Sequence, residues 1–328
     1  MEALRRPSTI AFFVLLAIAA VLPMVLGQAK FPQWLEVALG GLLTGVLYSL
    51  VALGLVLIFK ASGVFNFAQG AMVLFAALTL VRLAEKMPLL LAILVTFVVM
   101  VAMAWAIERW VLRPLVNQEG IVLFMATLGI AYFLDGFGQA VWGSDIYTLH
   151  VGMPKEPKII LDGVFEGGVL VDMEDFVAAI IAAALVAALT LFFQKTGTGR
   201  ALRAVADDHQ AAQSIGIPLN RIWVIVWSVA GLVALVAGIV WGSKLGVQFS
   251  LSNVALKALP VVILGGFTSI PGAIVGGLLI GLGEKLSEVY LGPFFGGGIE
   301  AWFAYVLALV FLLFRPEGLF GEKIIDRV

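Results

Sequence analysis

Residues 35–59 read LEVALGGLLTGVLYSLVALGLVLIF, and that stretch decides the fold. Its one charged residue is Glu36, near the start. A helix needs about 20 apolar residues to cross a bilayer, so this segment is long enough to span. It cannot be a membrane-barrel strand, which alternates apolar and polar side chains. Working outward, similar runs occupy about 10–27, 64–83, 88–107, 120–143, 175–193, 222–243 and 299–314. One more apolar region, 254–283, is interrupted by Gly265-Gly266 and Pro271-Gly272. Of 328 residues, 62% are hydrophobic and 12% charged, about half the charged share of a soluble domain, so polar groups are too few to cover the apolar surface in water. The sequence predicts an all-α polytopic membrane protein, one transmembrane domain over 1–328. It should have about eight transmembrane helices plus one re-entrant or broken helical hairpin at 254–283. The first run, with Arg5 and Arg6 ahead of it, also reads as a cleavable signal peptide, but it is long for a signal core.

Composition also excludes functions. A net charge of −1 gives no footprint for nucleic acid. The absence of cysteine removes disulfides, thiol catalysis and Cys-ligated metals. His150 and His209 are far apart and form no metal-binding spacing. An intramembrane enzyme is a third reading, but the predicted spans hold no His–acid cluster, no pair of acids and no serine in a nucleophile motif, so neither catalytic nor metal-binding residues are expected. No Gly-x-x-x-x-Gly-Lys-[Ser/Thr] run exists, so any ATP-driven step needs a partner chain to cradle the phosphates. Two transport classes remain. One is a permease subunit driven from outside; the other is a self-contained secondary transporter coupled to ions through intramembrane acids. Asp135 alone lies well inside a predicted span, while Glu108, Glu284 and Glu300 sit at ends, which is thin support for a proton relay.

Charge also orients the chain. Placing Arg5 and Arg6 in the cytoplasm puts Lys60, Arg109, Arg113, Lys195, Arg200, Arg203, Arg221, Arg315, Lys323 and Arg327 there too. Residues 144–174 hold Asp145, Glu156, Asp162, Glu166, Asp172 and Glu174, with Asp175 next to them, against Lys155 and Lys158, and form an extracytoplasmic loop. Both termini are then cytoplasmic, with 315–328 as a cytoplasmic tail. Parity requires 254–283 to enter and return to the same side, as half-helices or as two short spans.

Polar residues on apolar helices are the candidates for a solute path. Asn66 and Gln69 stand three apart, so on a helix they share a face. Their amides need partners in lipid, from a solute or from a neighbouring helix. Thr268 and Ser269 sit at the break, where half-helix ends can meet a carboxylate or amide, or simply make a turn. Asp135, Thr44, Tyr48 and Thr127 are further polar points. Gly272/Gly276 and Gly277/Gly281 have the small-xxx-small spacing of close helix packing.

Residues 194–221, QKTGTGRALRAVADDHQAAQSIGIPLNR, are polar and lie between two spans. Arg200–Ala206 and Asp208–Ile215 can each form a short helix, the second ending at Gly216 with Pro218 beyond. Gln210-Ala211-Ala212, three residues, then Gly216 resembles the cytoplasmic EAA motif of ABC-importer permeases, with Gln for Glu and without the usual Ile-x-Leu-Pro ending. That likeness makes 194–221 a cytoplasmic coupling segment. Three longer segments resemble the permeases of branched-chain amino acid (and urea or amide) ABC importers. They are GLLTGVLYSLVALGLVLIFKASGVFNFAQGA at 41–71, LKALPVVILGGFTSIPGAIVGGLLIGLGE at 256–284 and FRPEGLFGE at 314–322. Gln69 stands where that family typically has histidine. The resemblance implies an inner-membrane importer with a second, paralogous permease, two cytoplasmic ATPases that bind ATP and Mg, and an extracytoplasmic solute-binding protein. The chain itself would bind no cofactor. The implied solute is a branched-chain or related amino acid, or urea, a short amide or a small carboxylate.

Overall fold

The computed structural model describes residues 7–25, 27, 29–63, 65–115, 118–207 and 209–321. Arg5, Arg6, Asp208, Lys323 and Arg327, used above, lie outside the described residues, as do 322–328 of the tail. The chain is helical almost throughout. In order come α1 (Pro7–Val25), α2 (Phe31–Ser62), α3 (Gln69–Ala84), α4 (Leu89–Ile107) and α5 (Gly120–Trp142). A hairpin follows, β1 (Lys158–Ile160) antiparallel to β2 (Val169–Val171). Then come α6 (Met173–Lys195), α7 (Gly197–Asp207), α8 (His209–Ser214), α9 (Leu219–Leu245), α10 (Val254–Gly265), α11 (Ile270–Phe295) and α12 (Phe303–Phe314). Among the described residues, six helices are long and apolar enough to cross a membrane, and four apolar stretches are shorter. It is a multi-pass membrane protein.

Internal contacts define two units, Met1–Ala52 with Met153–Ile181 and Lys257–Val328, and Leu53–Gly152 with Ala182–Leu256. The first is built on a glycine seam. A Cβ on Gly45 of α2 would stand 2.6 Å from the Gly277 carbonyl oxygen of α11, and one on Gly41 would stand 2.8 Å from that of Gly281. On its other edge α11 meets α10, where a Cβ on Gly276 would lie 2.6 Å from the Val261 carbonyl. Both small-xxx-small pairs therefore let backbones touch, which suits helices that gain little from hydrophobicity in lipid. Ser49 Oγ adds bonds to the carbonyls of Gly45 (2.8 Å) and Ile274 (3.2 Å).

The second unit is centred on α3, whose residues Gln69–Val81 are all buried, against α4, α5 and α9. Gly238 of α9 sits against the Val73 carbonyl, where a Cβ would be 3.0 Å away.

Two boundaries differ from the sequence reading. The expected span at 64–83 begins later, because α2 runs on to Ser62 and stops at left-handed Gly63 (φ 70°). Asn66 then lies in a turn ahead of α3, not on a helix: its Oδ1 accepts from the Ala68 amide at 3.0 Å, and such a bond competes with helix. At 254–283 the break falls at 266–269 as expected, but its arms are unequal, a short α10 and an α11 that runs on to Phe295. The described part of the tail closes on that break. The amides of Leu319 and Phe320 donate to the carbonyls of Leu264 (2.8 Å) and Gly265 (3.0 Å), satisfying the end of α10.

Candidate functional site

The candidate residues divide between the units. Thr44, Tyr48, Thr268 and Ser269 belong to the first; Asn66, Gln69, Thr127, Asp135, Gln210, Ala211, Ala212 and Gly216 belong to the second. In the first, Ser269 caps α11, its Oγ accepting from the Gly272 amide at 3.0 Å, with Pro271 in the first turn. Thr268 is half-buried in the turn beside it, and Thr44 is buried in α2. Tyr48 leads to a group that sequence reading missed. Its Oη donates to Glu284 Oε2 at 2.8 Å, and Lys257 Nζ donates to Glu284 Oε1 at 3.0 Å. Lys257 Nζ also donates to the Glu300 carbonyl at 2.7 Å, and Lys285 Nζ faces Glu300 Oε2 at 3.5 Å. Glu284 is buried, so an ion pair joins α10 to α11 within apolar segments. Such a pair is costly there unless each charge finds a partner, and here it does. The available signal was Lys257 itself, a charge inside the apolar 254–283 region.

In the second unit, Asn66, Gln69 and Thr127 come together. Asn66 Nδ2 donates to Gln69 Oε1 (3.3 Å), and Gln69 Nε2 donates to the Ala230 carbonyl of α9 (3.3 Å). Thr127 Oγ1 lies 2.9 Å from the Phe124 carbonyl and 3.2 Å from that of Phe65. Both amide side chains are fully buried. Their bonds tie the 65–68 turn and α3 to α9, and Thr127 ties α5 to the same turn. Asp135 is separate from this group. It lies on α5, whose buried stripe is Leu123, Thr127, Ile130, Leu134 and Gly138, and its Oδ1 is buried without a hydrogen-bond partner. The arrangement offers hydrogen bonds and charge, and no cluster that could hold a metal ion occurs among the described residues.

Residues 194–221 fold as α7 and α8 between α6 and α9. Arg203 Nη1 donates to the Phe193 carbonyl at 2.7 Å, and Leu202 and Val205 are buried, which fixes α7 along its apolar edge. The stop falls where sequence placed it: Gly216 has φ 86°, and the Gly216 and Ile217 amides close α8 onto Gln213 and Ala212. Gln210 is in α8 by backbone, and its side chain lies outside the described residues. Ala212 is 2% exposed and faces this chain, whereas Ala211 and Gln213 are exposed and Ile215 is 75% exposed.

Comparison with known proteins places the chain as a whole. The family model described as the branched-chain amino acid transport system permease component matches residues 37–315. The chain belongs to this family. This permease is similar to the high-affinity branched-chain amino acid transport permease LivH of Salmonella typhimurium, 27% identical over 321 residues, covering 91% of this chain and 99% of that one. BraD of Pseudomonas aeruginosa is 27% identical over 90% and 98% of the two chains. A probable LivH of Methanocaldococcus jannaschii is 31% identical over 86% and 91%. In this permease the exposed Ile215 is the residue that the motif reading passed over.

Proposed function

We propose that this chain is the permease subunit of an ATP-binding-cassette importer for branched-chain amino acids or solutes of similar chemistry. The family match across 37–315 carries the reading. Its partners are a second, paralogous permease, two cytoplasmic ATPases that bind ATP and Mg, and an extracytoplasmic solute-binding protein. The chain itself binds no cofactor. It lies in the inner membrane with both termini cytoplasmic, 144–174 outside and 194–221 inside. The seating of α7 against its own chain supports a rigid docking element at 194–221. Ala211, Gln213 and Ile215 then meet the ATPase, while Ala212 and Gly216 hold the shape of α8. In the path, Asp135 is the residue free to meet a solute's ammonium or amide. The bonded Asn66, Gln69, Thr127 and Ser269 fix the helix breaks, and Thr44, Tyr48 and Thr268 are the remaining polar points.

Ile215→Arg tests the docking assignment. Ile215 is open to solvent, so the permease should insert at normal levels while copurifying ATPase and ATP-driven uptake are lost. Wild-type uptake by Ile215→Arg would refute the assignment of α8.

A further inference from the structure

Helix α4 turns a stripe of bulky side chains away from the rest of the chain. Its inward residues are Ala92, Thr96, Met100, Ala104 and Ile107, all buried. On the opposite side Leu91, Leu94, Val98, Ala102 and Trp105 recur at helical spacing, and all are exposed, Val98 at 64%. The apolar span that begins with α4 continues to Leu115. Near its end the helix loosens into a π turn, Glu108–Leu112, where the Arg113 amide donates to the Glu108 carbonyl. An α-helix sets residues five apart about 140° around its axis, whereas a π turn brings them nearly into line. Trp110 therefore joins Trp105 on the stripe, their rings 6.0 Å apart and edge to face, and Trp110 is 71% exposed. Arg109 follows Trp105 by four residues, is exposed, and makes no ion pair among the described residues. The acid of the turn is hidden: Glu108 is fully buried, and Arg113 Nε and Nη2 donate to its two oxygens at 3.1 Å each. Helices α5 and α9 pack against the turn. Their charges nearest it, Glu119 just ahead of α5 and Arg221 in α9, are both exposed and opposite in sign, so Arg109 leaves the surface cationic.

This order of groups matches a phospholipid. About 16 Å of helix separates Val98 from Arg109 at 1.5 Å per residue, close to one leaflet's half of the roughly 30 Å hydrocarbon core. Tryptophans at the end of an apolar span sit at the headgroup level, and an arginine beside them meets the lipid phosphates. A neighbouring membrane helix would favour another surface. Such contacts use small residues that let backbones approach, as in the glycine seam of α2 and α11, and the α4 stripe has only Ala102. We propose that this face of α4 is a binding site for one anionic phospholipid. Val98 and Ala102 take an acyl chain, Trp105 and Trp110 the glycerol level, and Arg109 the phosphate. The π turn assembles the site by lining up the two rings beside Arg109. The site is independent of which solute is carried.

Native mass spectrometry of the full chain in detergent micelles, with phosphatidylglycerol or phosphatidylcholine of identical acyl chains added, tests the site. The wild-type chain should hold one phosphatidylglycerol at least fivefold more tightly than phosphatidylcholine. Arg109→Ala should lower that affinity about fivefold, the share of one basic side chain at an anionic surface, and Arg109→Lys should recover most of it. Trp105→Ala with Trp110→Ala should weaken both lipids. These side chains are exposed, so the variants should unfold at the wild-type temperature. Lys86→Ala, exposed ahead of the opposite end of α4, should change nothing. Equal binding of the two lipids, or phosphatidylglycerol held as tightly by Arg109→Ala as by wild type, would overturn the proposal. A benzophenone side chain in place of Val98, irradiated in native membranes, should form adducts with phospholipid. Adducts with a second permease or any other chain would make a protein the occupant and overturn it as well.

Discussion

The Lys257–Glu284 pair gives the sharpest energetic prediction. Removing one partner of a buried ion pair costs about 3–5 kcal/mol, chiefly because the other charge is stranded. The Lys257 side chain keeps the Glu300 carbonyl and is 31% exposed, so Glu284→Leu should sit below that range, at about 2–3 kcal/mol. Lys257→Met strands a carboxylate whose side chain is only 3% exposed, so it should cost about 3–4 kcal/mol. The double variant strands neither charge. It should cost less than the sum of the singles by about 2 kcal/mol, whereas independent sites add to within about 0.5 kcal/mol. Glu284→Gln keeps an acceptor for Tyr48 and should be the mildest single change at this carboxylate. Reversible unfolding in mixed micelles, followed by tryptophan fluorescence, measures all of them. Additive single and double costs would mean that the pair does not act as a unit, and the α10–α11 clamp would be refuted.

Other outcomes follow from particular contacts. Gly277→Val should destabilise by about 1–3 kcal/mol, read in the same unfolding assay, because a Cβ there meets the Gly45 carbonyl at 2.6 Å. Asp135→Leu should cut uptake at least tenfold in vesicles with no loss of unfolding stability, since its Oδ1 makes no bond to lose; unchanged uptake would remove it from the path. Cysteine at Glu166 should react with an impermeant maleimide from outside intact cells and cysteine at Gln213 should not; the reverse pattern would invert the orientation.

Much of the fold was legible because hydropathy is a local property. Each apolar run became a helix, and Gly265-Gly266 with Pro271-Gly272 located the break now seen at 266–269. The Gly277/Gly281 spacing foretold backbone contact, and Gly216 with Pro218 foretold the end of α8. What escaped depends on partners distant in sequence. Lys257 and Glu284 are 27 residues apart, and Tyr48 is 236 from Glu284, so no local pattern announces their cluster. Asn66 and Gln69 were read as helix neighbours, but Gly63 stops α2 and the Asn66 side chain bonds its own turn. Ala212 was read only as part of the coupling motif, and its burial was not legible because α8 is too short for its sequence to show which side packs inward. The 158–171 hairpin lies in a loop whose acids were read for orientation alone, and its cross-strand pairing needs the register to be seen.

The central claim is that transport by this permease is driven by ATP hydrolysed on other chains. Its direct test is uptake of radiolabelled leucine into proteoliposomes holding this chain, its paralogous permease and both ATPases, with the binding protein outside. ATP enclosed with Mg should drive accumulation, and leaving out the ATPases should abolish it. Accumulation by this chain alone, driven by an ion gradient without ATP, would contradict the account.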